Sequence, residues 1–310
     1  MTRPLKVGVQ LPEVEWVPRW PDIREMALAA EEIGLDSIWV GDHLLYRYLD
    51  DSGNETQPAR GPWEAWTQLA AIAAITERVE LGPLVAATSF HNPAMIAKKA
   101  ATLDEISQGR LILGLGAGWN ETEYRSYGYP FDHRVSRFEE AFTIIRTLLQ
   151  DGRIDFSGTY YQLTDAELIP RGPRPHGPPL MVGSMGERML SITLPHVQSW
   201  NAWFTWYGNS AAGYPALRDQ IDAACRAVGR DPATLERTVA LLVTLPGGEG
   251  RPQGSHDRPE VAPHLGEPDA LSSELRALAA EGVGHVQLVL DPITADSIRA
   301  VAPALARLDA

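Results

Sequence analysis

Residues 109–124 read GRLILGLGAGWNETEY. The apolar run Leu111–Leu113 ends in Gly114, Gly116 and Gly118, followed by Trp119, Asn120 and the glutamates Glu121 and Glu123. Glycines just past a strand let a backbone come close to a phosphate or a flat ring. A dinucleotide turn would need G-x-G-x-x-G opening a helix directly. Counted from Gly114 or Gly116, the third glycine position falls on Trp119 or Glu121, so that motif is excluded. Trp119–Tyr124 reads instead as a loop before Tyr129-Pro130. A tight turn without a ligand is the plain alternative.

Two further stretches carry chemistry. Gly183-Ser184-Met185-Gly186-Glu187-Arg188 follows an apolar strand and leads into a helical pattern. Backbone N–H groups at such a turn, with the helix dipole and Arg188, can cradle an anion. A plain glycine turn explains the same residues. Asp42-His43 ends the run Ser37–Val40; a lone histidine there is either a proton-handling group or a satisfied structural residue. No H-E-x-x-H, EF-hand loop or His/Asp cluster at ligand spacing occurs, so no metal site is expected. Gly183-Ser184-x-Gly186 is not the G-x-S-x-G elbow of a serine hydrolase. Asp42 with Glu121 or Glu123 stays open as a carboxylate pair.

These residues sit where strands end. Apolar strands (Val7–Leu11, Ser37–Val40, Val79–Ala87, Leu111–Leu115, Leu180–Val182, Ser199–Phe204, Val239–Leu245, His285–Leu290) alternate with helical patterns, giving eight strand-helix units. Unbroken apolar runs suit strands buried on both faces, and eight such units predict a (β/α)8 TIM barrel rather than a doubly wound sheet. Residues 1–310 read as one barrel domain. It carries an insertion at about 153–178, with a hairpin from Phe156 to Tyr161, and a long loop at about 246–268. That loop reads equally as a lid and as a surface excursion. Barrels of this kind place their chemistry at the carboxyl ends of the strands.

Composition narrows the function. The 310 residues are 44% hydrophobic with a net charge of −13, which speaks against nucleic-acid or anionic-membrane partners, since both rest on Lys/Arg neutralising phosphates. The single cysteine, Cys225, allows no disulfide or cysteine zinc site and reads as a core residue. The N-terminal MTRPLKVGVQLP has no apolar leader, and a cytoplasmic enzyme with a small-molecule substrate is expected.

The chain resembles the luciferase-like monooxygenase superfamily, and most of all its coenzyme F420-dependent oxidoreductase branch. The resemblance runs through LDSIWVGDH (35–43), HNPAMIAKKAATLDEISQGRLILGLGAGWNETEYRSYGYPF (91–131), RFEEAFTIIRTLL (137–149), PPLMVGSMGER (178–188) and Trp200-Asn201. It implies a TIM barrel holding a deazaflavin or flavin ring. It places Asp42 and His43 beside the ring, with His43 as the catalytic proton donor or electrostatic partner. Leu84-Val85 is implied as a non-prolyl cis bond backing the ring, with Ala87 beyond it. Gly116 and Ala117 would leave room at the ring edge, and Gly183, Ser184, Gly186, Glu187 and Arg188 would hold the phosphate end. Trp119, Trp16 and Trp66 are candidates for a substrate pocket, with Tyr46, Trp63 and Trp203 behind them.

F420-dependent glucose-6-phosphate dehydrogenases of this superfamily carry a glutamate where this chain has Trp119, which speaks against a sugar-phosphate substrate. No basic cluster is evident for the polyglutamate tail of F420, so FMN stays as the alternative cofactor. Three functions remain: an F420-dependent oxidoreductase, an FMN-dependent monooxygenase, and a non-catalytic flavin-binding protein. The resemblance also implies a homodimer, and a separate flavin or F420 reductase as partner.

Overall fold

The computed structural model describes residues 3–49, 52–251 and 261–310. Among the described residues one all-parallel, ten-stranded sheet curls into a barrel of nine strands, with the short strand His264–Leu265 added beside Glu236–Thr244: β1 (Lys6–Gln10), β2 (Ser37–Val40), β3 (Glu80–Pro83), β4 (Ala86–Ala87), β5 (Leu113–Gly116), β6 (Leu180–Val182), β7 (Ser199–Ala202), β8 (Glu236–Thr244) and β9 (Val283–Asp291). Around the barrel the order is β3, β2, β1, β9, β8, β7, β6, β5, β4. Leu81 bridges to Leu111, while Ala86 and Ala87 pair with Leu115 and Gly116. Thus β3 and β4 are the two halves of one barrel strand, interrupted at Leu84–Val85, and the expected eight positions are filled. The bond between Leu84 and Val85 is cis.

Sequence explains the outer layer. In the helix Trp20–Glu32, Ile23, Met26, Ala27 and Ala30 recur at helical spacing and are buried. The helix Pro93–Ile106 is capped by Asn92, whose side chain accepts from the Ala94 and Met95 N–H groups. Cys225 lies buried in the helix Tyr214–Ala227. Inside the barrel, Trp39, Leu84, Ile112 and Met181 form their own buried cluster, a floor beneath the strands' carboxyl ends. No helix among the described residues is long and apolar enough to cross a membrane.

Three local expectations change. Residues 119–124 are not a plain loop, because Glu121–Tyr127 is a helix. Asn120 caps it through the Thr122 N–H, two glutamates occupy its first turn, and Gly128 ends it at φ 77°. The start and stop signals outweighed the short, polar composition. A second hairpin, Tyr46–Leu49 with Glu55–Arg60, follows β2 and was not anticipated. The sixth barrel strand stops at Ala202, and Phe204–Trp206 form a 3-10 turn. The hairpin within 153–178 pairs Arg153–Ser157 with Gln162–Glu167, longer than the expected Phe156–Tyr161 span. The lid reading of 246–268 falls partly outside the described residues.

Candidate active site

A cavity of about 370 Å³ opens beyond the carboxyl ends of the strands, within the range of small-molecule sites. Its wall includes Asp42, His43, Leu84, Val85, Ala87, Gly116, Ala117, Gly183 and Ser184. The backbone reason lies in β3–β4. The Asp42 carboxylate, buried at the end of β2, accepts the Ala87 N–H at 2.9 Å and ties the interrupted strand to its neighbour.

The glycines of β5 are explained by protein atoms. A Cβ on Gly114 would lie 2.3 Å from the Pro83 carbonyl oxygen and 2.9 Å from Val85 Cγ1. A Cβ on Gly116 would lie 2.8 Å from Val85 Cγ2. The glycines thus accommodate Val85, which meets the cavity, and Gly116 itself lies on the cavity wall beside Ala117. Gly118 has φ 74°, and the Tyr124 hydroxyl occupies its side-chain direction while donating to the Ala117 carbonyl at 2.6 Å.

His43 is held by two carboxylates. Its Nδ1 lies 3.0 and 3.1 Å from the two Glu123 carboxylate oxygens. An ionised carboxylate only accepts, so Nδ1 carries the proton. Glu123 also accepts the Leu44 and Leu45 N–H groups and is 1% exposed. On the other side, Nε2 lies 3.8 Å from Glu13 Oε1, beyond hydrogen-bond reach. Burial alone would push the imidazole pKa down; Glu13 and Glu123 outweigh it and lift it. Burial pushes the Asp42 carboxyl up to about 7, against the Ala87 N–H bond and His43, which favour its charge.

Around His43 the wall is aromatic. Tyr46 and Trp119 rings lie 4.7 and 5.7 Å from the imidazole, centroid to centroid. The Tyr46 hydroxyl donates to Glu13 at 2.5 Å, and burial followed by Glu13 raises its pKa well above the ordinary value. Trp203 lies beneath the Arg251 guanidinium at 5.1 Å.

Other candidates fall elsewhere. Trp16 donates to the Ile293 carbonyl and Trp63 to the Pro18 carbonyl, while Trp66 packs edge-on against His91; none of the three lines the cavity. Trp66 belongs to the inward face of the helix Ala65–Ile75, so its periodicity marked core. Arg188 is paired with Glu139 at 2.7 Å on the surface, and Glu187 is exposed, whereas Gly183 and Ser184 face the cavity. The Gly186 N–H turns to the Ser184 hydroxyl at 3.4 Å.

A family model for luciferase-like monooxygenases matches residues 5–246. The chain belongs to this family. It is 39% identical over 176 residues to the F420-dependent glucose-6-phosphate dehydrogenase of Amycolatopsis mediterranei, covering 55% of this chain and 50% of that protein. It is 32% identical over 255 residues to the protein of the same name from Kineococcus radiotolerans, covering 78% and 69%. The chain thus spans between half and about two thirds of the length of these curated relatives. The fold also matches an F420-dependent secondary alcohol dehydrogenase solved with an F420-acetone adduct, at TM-score 0.77 and 19% identity over 98% of this chain and 99% of that one. Family and fold are thereby fixed: this is a luciferase-like protein built on a TIM barrel.

Sequence reasoning missed four residues of this site. Glu13 follows β1 in a run, PEVEW, without a recognisable motif. Glu123 stood among open carboxylate pairs, but its partner is His43 and its helix was not foreseen. Arg251 sits in the long loop, where no periodicity orients a side chain. Arg134 opens the helix Arg134–Asp151 and reaches the cavity wall while donating to the Gly118 and Trp119 carbonyls. Among the described residues, no group of three or more His, Cys, Asp or Glu side chains has metal-site geometry.

Proposed function

We propose that this chain is an F420-dependent oxidoreductase that exchanges hydride with a small organic substrate at the cavity described above. The observation that carries the reading is the His43 imidazole, oriented by a buried carboxylate beside an open cavity with an apolar wall. The names of the relatives point to F420, and the residues fit a flat ring: Leu84, Val85, Ala87, Gly116 and Ala117 offer carbon and backbone rather than charge. When bound, F420 supplies a carbon centre that donates or accepts hydride.

The chain's own residues then have distinct tasks. Val85 backs the ring, held in place through the Asp42 bond to Ala87. Gly183 and Ser184 take the cofactor's anionic arm, and Arg134 is the nearby guanidinium on the wall. Glu123 fixes the proton on Nδ1 of His43 and so sets which nitrogen faces the cavity. His43 Nε2 holds or releases a proton there, favoured in the charged form by Glu13 and Glu123. Trp119 and Tyr46 exclude water from the same corner. The reading takes all 310 residues as one cytoplasmic catalytic domain, a homodimer in solution, with a separate reductase regenerating the cofactor.

Titration of the protein with F420 and with FMN, each followed by fluorescence, tests the reading. Saturable one-to-one binding of F420 and its reduction by an alcohol, or oxidation of its reduced form by a carbonyl compound, is the expected result. Stoichiometric O2 consumption with reduced FMN would reassign the chain as a monooxygenase. Tight cofactor binding without turnover on aldehydes, alcohols or enones would make it a binding protein.

A further inference from the structure

The aromatic corner of the cavity holds a buried ion cluster of which the proposed chemistry uses Glu13 alone. Arg251 enters from the loop after β8 with its side chain 6% exposed. Its Nε donates to Glu15 Oε1 at 2.5 Å, and a terminal nitrogen lies 3.4 Å from Glu13 Oε2. Glu15 also accepts the Glu13 and Val14 N–H groups at 2.8 and 3.0 Å, which fixes its carboxylate. Glu13 accepts from Gln10 and Tyr46. Two carboxylates therefore face one guanidinium, and this corner carries a net negative charge. The Glu123–His43 pair beside it adds no positive charge, since even a protonated imidazole only balances its carboxylate. Arg134, the other guanidinium on the wall, donates to the Gly118 and Trp119 carbonyls and stacks on Phe131 at 3.9 Å.

A buried guanidinium is worth most to an anion when its charge is unspent. Here it is spent. An anionic group brought beside Arg251 would displace a paired carboxylate or sit against Glu13, and either leaves a buried charge uncompensated. A hydroxyl or carbonyl group incurs no such cost and finds donors and acceptors in His43, Tyr46 and Glu13. The surrounding Trp119 and Trp203 rings suit an apolar body.

We propose that this corner takes an uncharged alcohol or carbonyl compound, and that Glu15 enforces the choice by holding Arg251 in a buried pair, withholding its charge from anionic substrates. This rests on the oxidoreductase reading for the location of the substrate, and it sets the chain apart from the relatives named for a sugar phosphate.

The test uses two probes of one shape, 4-(hydroxymethyl)benzamide and 4-(hydroxymethyl)benzoate. Their binding to the cofactor-loaded protein is followed by tryptophan fluorescence without turnover. The wild type is expected to bind the amide at least tenfold tighter than the carboxylate. In Glu15→Gln that preference falls by tenfold or more, because the guanidinium is released. In Glu15→Gln/Arg251→Gln the preference for the amide returns. Arg251→Gln alone, which leaves both carboxylates, widens it, and this arm stands even if Glu15→Gln does not fold. A wild type that binds the carboxylate as tightly as the amide, or a preference unmoved in all three variants, overturns the proposal, as does failure of both probes to bind. If FMN rather than F420 loads the site, the measurement is made with FMN, so a wrong cofactor assignment is told apart from a wrong substrate assignment.

Discussion

His43, half-buried in the cavity wall, lies just past the carboxyl end of β2, and His285, fully buried, lies near the amino end of β9. Their surroundings drive them apart. His285 is 1% exposed, with Nε2 2.7 Å from the Ser37 hydroxyl and the Trp39 indole edge-on at 5.7 Å. Burial, with Lys6 adding to it, pushes its pKa down to about 3. His43 is half-buried, and Glu13 and Glu123 outweigh its desolvation and lift it above the ordinary value. The difference is one of partners: a hydroxyl satisfies a neutral imidazole, whereas carboxylates stabilise the charged one. One end of the barrel keeps its histidine as packing, and the other keeps its histidine ready to hold a proton. That division matches the general split of barrels into a stability face and a chemistry face.

The comparison breaks most readily at the two histidines themselves. His43→Ala is expected to lower kcat at least about a hundredfold, within the range for losing a general acid or base, while cofactor affinity stays within about threefold. His285→Ala should leave kcat within about twofold and instead lower stability by about 1–3 kcal/mol, since the Ser37 hydroxyl loses one of its two buried partners and keeps only the Trp39 N–H. Steady-state kinetics and thermal unfolding on both variants decide it. Equal losses of activity would dissolve the distinction between the two ends.

The second effect concerns the wall opposite His43. If Val85 rather than a ligand dictates Gly116, then Gly116→Ala costs about 1–3 kcal/mol by overpacking. Val85→Ala in the same chain should recover most of that loss, because the contact at 2.8 Å disappears. The double-mutant cycle is read by chemical denaturation without cofactor. Additive losses would mean that the bulge does not set the glycine.

Legibility in the sequence follows the same divide. The barrel was readable because buried parallel strands are short apolar runs and each helix between them has one apolar face. The bond at Leu84–Val85, the Asp42-His43 pair and the glycines of β5 were readable through family resemblance, since they lie on or beside strands. Glu13, Glu123 and Arg251 were not. They come from loops and a seven-residue helix: Glu13 and Glu123 converge on one imidazole, and Arg251 reaches Glu13 beside it. Nothing in linear spacing encodes that convergence, because it depends on how the barrel closes. Trp66 erred the other way, since an aromatic residue on an amphipathic helix packs into the core whether or not a pocket lies nearby.

Glu123→Gln sharpens the comparison at the level of charge. The variant keeps an oxygen for Nδ1 but removes one of the three acidic side chains, Glu13, Glu123 and Asp42, that raise the His43 pKa, so that pKa falls toward its ordinary value or below it. A histidine with a raised folded pKa adds stability that is complete below its unfolded value, about 6.5, and is lost as pH rises through the folded value. Glu123→Gln should erase that contribution and move the corresponding limb of the kcat/KM profile to lower pH, with a loss of about tenfold in rate. Imidazole NMR across the pH range reads the shift directly; an unmoved His43 resonance would remove Glu123 from the account.

The smallest effect lies in Asp42, and its sign runs toward alkaline weakness. Its carboxyl is raised from 3.8 to about 7 because burial penalises the charge more than the Ala87 N–H and His43 reward it. The folded state therefore holds the proton more tightly than the unfolded chain, and the linked stability is complete below pH 3.8 and is lost as pH rises through about 7. Asp42→Asn keeps an acceptor for the Ala87 N–H and has nothing to ionise. Relative to the wild type, its melting temperature should climb between about pH 4 and pH 7 and level off above that. His285→Gln at the amino end should show the opposite, a relative fall between about pH 3 and 6.5, since the folded state keeps His285 neutral down to about pH 3 while the unfolded chain takes up that proton near 6.5. A flat difference for Asp42→Asn would mean that Asp42 is an ordinary carboxylate. Of the adjacent Asp42 and His43, His43 alone would then keep a raised pKa, and the proton chemistry would rest on that imidazole.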